Sequence, residues 1–167
     1  MGSVKTGWKG RFLEDFTVGD IYRSRLGRTV TETDNTQFTL ITNNTNQIHF
    51  NAHYAARTEF VKPVVNSAMT LSIVSGLAVT DVSENGFALG WDYIKLPHPV
   101  FAGDTLYAET EVTSVRESRS RTGQGIVKVR TTGVNQDGVT VIEFERSVMV
   151  WKRDRAPLVD LFPDRKE

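Results

Sequence analysis

Cysteine is absent from this chain of 167 residues. A protein without cysteine has no disulfide scaffold, no thiolate zinc site and no thiol nucleophile. Long hydrophobic runs are also missing: the most apolar stretch, residues 68–79, contains threonine, serine and glycine and is too short to span a bilayer. Residues 1–10 lack the apolar segment of a secretion signal. These absences predict a cytoplasmic protein that does not enter a membrane.

The chain also has no excess of charge of either sign. Lysine and arginine together number 20, as do aspartate and glutamate, so the formal net charge is zero. A neutral chain exerts no overall attraction on nucleic acid or on an acidic membrane, although a local basic patch can still bind an anion. The sequence therefore predicts neither a nucleic-acid partner nor a membrane partner.

Length and local composition predict a single folded domain. Residues 1–11 are polar and contain several glycines, which predicts a flexible N-terminal arm. Residues 153–167 contain two prolines and a charged end, which predicts a polar C-terminal tail. The folded domain then comprises residues 12–152.

The first half of this domain mixes helices with irregular segments. Residues 20–31 are strand-like, with a possible break at Gly27. A short helix ending near Ile41 has Thr33 or Asp34 as its expected N-cap, and Asn51 is expected to cap another short helix. Residues 68–78 are apolar on nearly every helical face, which predicts a helix that is buried on all sides.

The second half consists of predicted strands. Hydrophobic and polar residues alternate along several segments, and a turn signal separates the last two. The predicted strands cover residues 89–94, 104–115, 125–134 and 139–152. A buried helix followed by antiparallel strands predicts an α+β fold, with a curved sheet wrapped around a long central helix.

Histidine is the most informative chemical group. His49 and His53 are four residues apart, but no acidic residue stands beside them, so a metal site is not predicted. His49 follows a run of polar side chains that includes Asn44, Asn46 and Gln47. A histidine between apolar neighbours is often structural, but one that also follows a dense run of polar side chains indicates an active site for a neutral substrate. Both interpretations stay open on spacing alone.

The same segment resembles a known motif. Residues 42–49 read TNNTNQIH and resemble the hydratase motif of the MaoC-like (R)-specific enoyl-CoA hydratases and dehydratases. Three more segments resemble this family in the same order along the chain: FLEDFTVGD at 12–20, FVKPVVNSAM at 60–69 and LPHPVFAGDTL at 96–106. The resemblance covers residues 12–152. It implies a hot-dog fold and at least a homodimer, with sites built across the interface.

The resemblance implies a catalytic role for His49 and Asn44. His49 matches the family histidine, and Asn44 stands where the family has aspartate. A carboxamide does not accept a proton at ordinary pH, whereas a carboxylate does. We therefore expect His49 to be the principal acid and base, with Asn44 orienting water or substrate. Another carboxylate, Asp34 or Glu32, and a weakened activity are the alternatives.

The remaining site residues follow from the same resemblance. Ser67 stands where the family has glycine at the entry of the central helix, so its backbone N–H is the expected oxyanion donor. Asn46 and Asn66 are expected to bind substrate. Capping of the helix alone is the alternative for Ser67 and for Asn66. Arg119 and Arg121 lie in a basic, serine-rich turn, which indicates either a solvated loop or a clamp for the phosphates of CoA.

The predicted reaction is the reversible hydration of a trans-2-enoyl-CoA, or the dehydration of a 3-hydroxyacyl-CoA. The acyl-CoA thioester is then the substrate, and neither a cofactor nor a metal is expected. A hot-dog acyl-CoA thioesterase and a catalytically weakened acyl-CoA-binding subunit are the alternatives. The sequence leaves open the length of the acyl chain, its branching and a second carboxylate on the substrate.

Overall fold

A computed structural model of the chain describes residues 3, 5 and 7–157. Parts of the predicted arm, residues 1, 2, 4 and 6, and most of the predicted tail, residues 158–167, lie outside the described residues. The division of the chain into arm, domain and tail stays a prediction. Among the described residues, the helices are all too short or too polar to cross a membrane.

The described part of the chain contains four helices and six strands. The helices are α1 (Glu32–Ile41), α2 (Ala52–Ala55), α3 (Ser67–Leu77) and α4 (Val79–Val82). The strands are β1 (Ile21–Arg23), β2 (Arg28–Thr29), β3 (Gly86–Lys95), β4 (Thr105–Glu117), β5 (Gln124–Val134) and β6 (Thr140–Trp151). Single 3-10 turns lie at Leu13–Asp15 and Gln47–His49.

The strands form one antiparallel sheet in the order β1–β4–β5–β6–β3, and β2 also pairs with β4. The three long strands β4, β5 and β6 are consecutive in sequence and joined by short loops at 118–123 and 135–139. Strand β3 precedes them in the chain but pairs with the far side of β6. This arrangement confirms the predicted α+β fold, an antiparallel sheet with a central helix.

Alternation along the strands determines which face of the sheet meets α3. Gly133 of β5 lies directly beneath the helix, because a Cβ atom there would approach Ile142 Cγ2 to 2.6 Å and Val74 Cγ2 to 2.8 Å. Side chains alternate between the two faces of a strand. Ile142, Phe144, Val148 and the other even-numbered residues of β6 therefore face the helix, whereas Glu145 points to the opposite face.

The prediction that α3 is buried on all sides is wrong. Met69, Thr70 and Val74 are buried against the sheet, but Ala68, Ser72 and Gly76 form an exposed stripe. The sheet curves around one side of the helix and leaves the other side uncovered in a single chain. The hydrophobic pattern does not distinguish this stripe, because its residues are small rather than charged.

The predicted helix caps were partly correct. Asn51 caps α2 and Asn66 caps α3, each accepting a backbone N–H through its side chain. The cap predicted for α1 was wrong: Thr31 is the N-cap, and Asp34 completes a capping box as the third helical residue. The predicted break at Gly27 is confirmed, since β1 and β2 are separate strands.

The edge strand β3 exposes a row of large apolar side chains. Phe87, Leu89, Trp91 and Ile94 are each between 40% and 47% exposed. Its outer backbone edge has no neighbouring strand in the described part of the chain. An apolar, unpaired strand of this kind is a template for pairing with another sheet.

Candidate active site

His49 is the last residue of the 3-10 turn that follows the polar run. Its side chain contacts the segment that leads into α3. Its Nδ1 atom lies 2.9 Å from the backbone carbonyl oxygen of Val64. A carbonyl can only accept, so Nδ1 carries the hydrogen. In the neutral ring Nε2 is then the unprotonated nitrogen with a free lone pair. The backbone thus selects the tautomer that can remove a proton from a substrate or from water.

Asn35 connects the histidine loop to the start of α3. This side chain is buried in α1, and its amide nitrogen donates to the carbonyl oxygens of His49 at 2.7 Å and Val64 at 3.2 Å. Its own carbonyl oxygen accepts the backbone N–H of Asn66 at 2.9 Å. One side chain therefore fixes three backbone positions around the candidate site.

The N-terminus of α3 begins three residues after Val64. Asn66 is buried, and its side chain accepts the backbone N–H of Ala68 at 3.0 Å. Ser67 is exposed as the first helical residue, and its N–H has no acceptor within the described ranges of the chain. Free N–H groups at a helix N-terminus carry positive potential and bind oxyanions. The Asn66 side chain thus acts as the cap, and a contact between Asn66 and substrate stays a prediction.

The polar loop before His49 is organised by its own amides. The side-chain oxygen of Asn44 accepts the backbone N–H of Asn46 at 2.9 Å, and the Asn44 N–H donates to the Thr39 carbonyl. Asn46 in turn accepts the N–H of Ile48 at 3.3 Å. Asn43 adopts a positive φ of 50°, a conformation that asparagine tolerates. Asn44 is half-buried and Asn46 exposed, so a catalytic or binding role for them stays a prediction.

Asp34 and Glu32, the alternatives to the family aspartate, both lie in the first turn of α1. Asp34 accepts the backbone N–H and the hydroxyl of Thr31 in the capping box of α1 and also pairs with Arg28 at 2.8 Å. The hydrogen bonds from the backbone and side chain of Thr31, followed by that from Arg28, lower the pKa of Asp34 below its usual value. A carboxylate that is stabilised in its charged form is a poor general base. Glu32 is exposed in the first turn of α1.

Arg119 and Arg121 lie far from His49 within one chain. They belong to the turn between β4 and β5, at the end of the sheet where Gly125 pairs with Val150. The His49 segment meets the opposite end, where Val65 bonds to Val100 just before β4 begins. Strand β4 separates the two ends by about 40 Å, given ~3.3 Å per residue. A single chain therefore does not bring these arginines to His49.

The other histidines do not join the site. His53 is exposed on α2, and the Nδ1 atom of His98 lies 2.8 Å from the Thr140 carbonyl oxygen. In the part of the chain that the structure describes, no group of three or more histidine, aspartate or glutamate side chains could bind a metal.

A cavity of about 720 Å³ lies between the C-terminal half of α3 and the strands β1 and β2. Its apolar floor includes Leu26, Ile73 and Leu77, and four arginines line its rim. Of these, Arg23 pairs with Glu109. None of the site residues predicted from the sequence lines this cavity. The cavity is therefore separate from the His49 segment.

Comparison with known sequences places the chain in a family. Residues 15–135 match the family described as MaoC like domain. The chain belongs to this MaoC-like family. This confirms the family suggested by the four sequence segments.

Relatives of this MaoC-like domain carry related names. A mesaconyl-CoA hydratase of Cereibacter sphaeroides is 34% identical over 148 residues, which are 88% of this chain and 43% of that protein. An (R)-specific enoyl-CoA hydratase of Rhodospirillum rubrum is 29% identical over 83% of this chain and 91% of that protein. The chain thus spans less than half the length of the first of these relatives.

A solved structure supplies the name of the fold. The Mycobacterium tuberculosis protein Rv0216, described as a double hotdog fold, superposes with a TM-score of 0.79 over 89% of this chain and 47% of that chain. Its sequence is 20% identical, so the likeness concerns the fold alone. The predicted hot-dog fold is confirmed.

Sequence reasoning missed two buried polar residues in this MaoC-like domain. Asn35 is one, and an asparagine inside an otherwise ordinary helix was the only signal in the sequence. Arg146 is the other: it falls in the apolar alternation of β6, is 4% exposed, and burial lowers its pKa to about 10. The signal in the sequence was its position in the alternation, where a hydrophobic residue is expected.

Proposed function

We propose that this chain catalyses the reversible addition of water to the double bond of a trans-2-enoyl-CoA thioester. The observation that carries the proposal is the Nδ1 contact of His49 with the Val64 carbonyl, which leaves Nε2 as a free base beside the N-terminus of α3. Family membership and the names of the relatives support the same chemistry.

The first step is the activation of water. Nε2 of His49 accepts a proton from water, and the hydroxide oxygen forms a bond to C3 of the enoyl group. The electron pair of the C2–C3 double bond moves toward the thioester, so negative charge develops on the carbonyl oxygen. His49 then returns the proton to C2, which completes the 3-hydroxyacyl thioester.

The developing oxyanion is stabilised by the backbone. The Ser67 N–H is free at the start of α3, where the partial charges of the helix peptide groups add to a positive potential. A preorganised donor of this kind contributes about 2.7–4 kcal/mol to a transition state. Because the donor belongs to the backbone, serine at this position serves as well as glycine.

Asn44 stands where the family has an aspartate that can accept a proton. Its carboxamide can only orient water or substrate. Its carbonyl oxygen already accepts one backbone N–H, and its amide nitrogen is available to bind water. The proposed mechanism therefore assigns all proton transfer to His49. The CoA thioester is the substrate, and the mechanism invokes no cofactor.

The test follows the absorbance of the enoyl-thioester band with crotonyl-CoA and longer enoyl-CoAs, together with an assay for free thiol. The wild type should remove the band without releasing thiol, and His49→Ala should lower the rate by about 10²–10⁴-fold. Asn44→Asp restores the carboxylate that the family has at this position and should raise the rate. His53→Ala is a matched control on the neighbouring helix and should retain the wild-type rate.

Other outcomes identify other functions. Release of thiol would indicate a thioesterase. Binding of acyl-CoA without loss of the band at any chain length would indicate a non-catalytic binding subunit, and Asn44 is the residue that favours this alternative. An unaffected rate in His49→Ala would refute the proposed mechanism.

We further propose that two copies of the chain pair along β3. The unpaired edge and its exposed apolar side chains support this assembly, as does the double length of the mesaconyl-CoA hydratase relative. Antiparallel pairing of β3 with itself would bring the Gly86 end of one copy beside the Lys95 end of the other. Arg119 and Arg121 of one copy would then lie at the same end of the joined sheet as the His49 segment of its partner, and we propose that they bind the CoA phosphates there.

Light scattering after size exclusion tests the dimer. The wild type should elute as a dimer, Leu89→Asp should yield a monomer, and Leu40→Asp, at an exposed position on α1, should remain dimeric. A monomeric wild type would contradict the assembly. A cytoplasmic location stays a prediction that cell fractionation can test.

A further inference from the structure

The cavity between α3 and the strands β1 and β2 contains none of the residues that the proposed mechanism uses. Its volume of about 720 Å³ falls within the roughly 300–1,000 Å³ of typical small-molecule sites. Leu26, Ile73 and Leu77 give it an apolar floor, and Leu26 is 59% exposed. A concave and mostly apolar surface of this size is the usual form of a site for an organic ligand.

A second cavity extends the same surface toward α1. It measures about 350 Å³ and shares Arg28 and Ile73 with the larger cavity. Phe38, Ile41 and Met69 also line it, and Ile41 is 78% exposed. The two cavities together form an elongated apolar groove along α3, called the α3 groove below. An elongated apolar groove suits an extended hydrocarbon chain better than a compact polar molecule.

Gly76 keeps part of the α3 groove open. It lies within α3 and lines the larger cavity, and a Cβ atom added there would meet no atom within 4 Å. Its φ is not positive, so the backbone does not require a glycine. Glycine inside a helix is destabilising relative to alanine. Neither the backbone nor the packing of the described residues calls for a glycine here, and its effect is the space that it leaves in the groove.

Two of the four arginines that line the larger cavity are engaged within the protein. Arg11 pairs with Asp81 at 3.3 Å, and its guanidinium carbon lies 4.2 Å from the centre of the Tyr22 ring. Arg23 pairs at 2.7 Å with Glu109, its cross-strand neighbour on β4. These two guanidinium groups belong to the wall of the cavity rather than to a ligand.

The other two arginines, Arg25 and Arg28, stand on either side of Leu26 along the chain. Arg25 is exposed in the segment between β1 and β2. Arg28 pairs with Asp34 at 2.8 Å, but its side chain is about half exposed. An exposed pair of this kind contributes little to stability, so an anionic ligand can compete for the guanidinium group. Guanidinium groups bind phosphate and carboxylate oxygens through parallel N–H donors.

We propose that the α3 groove is a second binding site, separate from His49, for an amphipathic anion. The ligand is a hydrocarbon chain that ends in a phosphate or a carboxylate. The chain covers Leu26 and Ile73, and the anionic head binds Arg25 and Arg28. Binding requires neither a thioester nor a reaction, so this inference does not depend on the proposed function.

Isothermal titration calorimetry with four probes tests the site. Octyl phosphate, octanoate and 1-octanol share one chain and differ in the head group, and inorganic phosphate is a head group without a chain. The better of the two octyl anions should bind the wild type about tenfold or more tightly than 1-octanol, the range expected for charge-assisted hydrogen bonds. Inorganic phosphate should bind at least as weakly as 1-octanol. The tighter of the two anions identifies the head group.

Gly76→Leu locates the chain of the ligand. Its side chain would fill the space beside Ile73 and Leu77, so the dissociation constants of octyl phosphate and 1-octanol should both rise about tenfold or more. The Tm should stay at or above that of the wild type, because leucine favours a helix more than glycine does. Thr36→Leu is the control, since it adds an exposed leucine on α1 at a position that lines neither cavity.

Arg25→Gln locates the head group. It should lower the preference for octyl phosphate over 1-octanol several-fold and leave the affinity for 1-octanol unchanged. Arg130→Gln is the matched control, because Arg130 pairs with Glu111 and lines neither cavity. Its preference should equal that of the wild type. His49→Ala should also bind both ligands as the wild type does.

Four outcomes would overturn the inference. The first is that the wild type binds none of the octyl ligands, and the second is that it binds octyl phosphate, octanoate and 1-octanol equally. The third is unchanged binding in Gly76→Leu, which would place the chain elsewhere. The fourth is loss of binding in His49→Ala, which would place the ligand in the candidate active site. Binding that depends on Gly76 and Arg25 in a chain that hydrates no enoyl thioester would support the second site and refute only the proposed function.

Discussion

Asn35→Ala tests the arrangement of the candidate site directly. The substitution removes the side chain that donates to the His49 and Val64 carbonyls and accepts from the Asn66 N–H. Val64 keeps its contact with the His49 ring, so two backbone groups lose their partner. The Asn66 N–H is buried, whereas water can reach the His49 carbonyl more easily.

The magnitude follows from these two groups. An unsatisfied buried polar group costs about 1–3 kcal/mol, and the partly accessible carbonyl costs less, so the free energy of unfolding should fall by about 2–4 kcal/mol. For a chain of this size each kcal/mol corresponds to about 2–4 °C, which gives a decrease in Tm of roughly 4–16 °C. Because the His49 backbone is then free to shift, kcat/KM should fall as well.

Urea unfolding followed by circular dichroism measures the change. Gln37→Ala is the control, since Gln37 is exposed on the same helix and should stay within about 0.5 kcal/mol of the wild type. Asn35→Asp preserves the shape and the acceptor but loses both donors, so it should be destabilised too. If Asn35→Ala unfolds at the same urea concentration as Gln37→Ala, the three hydrogen bonds do not stabilise the site and the reasoning fails.

Two other predictions concern packing and pH. Gly133→Ala should destabilise the protein by about 1–3 kcal/mol, because the new methyl group would approach Val74 to 2.8 Å. Gly90→Ala is the control, since a methyl group there meets no atom within 4 Å. Equal urea midpoints for the two variants would contradict this packing. Burial and then the hydrogen bond to Asp20 raise the pKa of Tyr22 to about 12, so the folded state retains a proton that the unfolded state loses near pH 10. Stability should therefore fall between about pH 10 and 12, and Tyr22→Phe should lose that part of the slope in alkaline unfolding curves.

Much of the fold follows from local patterns. Strand β6 was predicted at residues 139–152 and is found at Thr140–Trp151, because alternation along a strand reports its two faces independently of the rest of the chain. The N-cap of α1 was predicted at the wrong residue, because Thr31, Thr33 and Asp34 all have side chains that can cap. Which one does so depends on where the preceding strand ends.

The candidate site was predicted only in part. The polar run and His49 were recognisable because residue types and spacing repeat a motif that lies within eight consecutive residues. Asn35 joins the same site from a helix fourteen residues upstream, and no local pattern records that contact. Arg119 and Arg121 have the right chemistry for phosphate, but their turn lies at the far end of the sheet.

The sequence by itself determined the elements, the inward faces of the long strands and the family. These depend on interactions between residues close together in the chain, where hydrophobic periodicity and capping act. Only the tertiary structure decided that one face of α3 is open, that Asn35 fixes the His49 loop, and that Arg146 is buried with no counterion among the described residues. Burial and hydrogen-bond partners are properties of the space between elements, and a linear pattern does not contain the distances across that space.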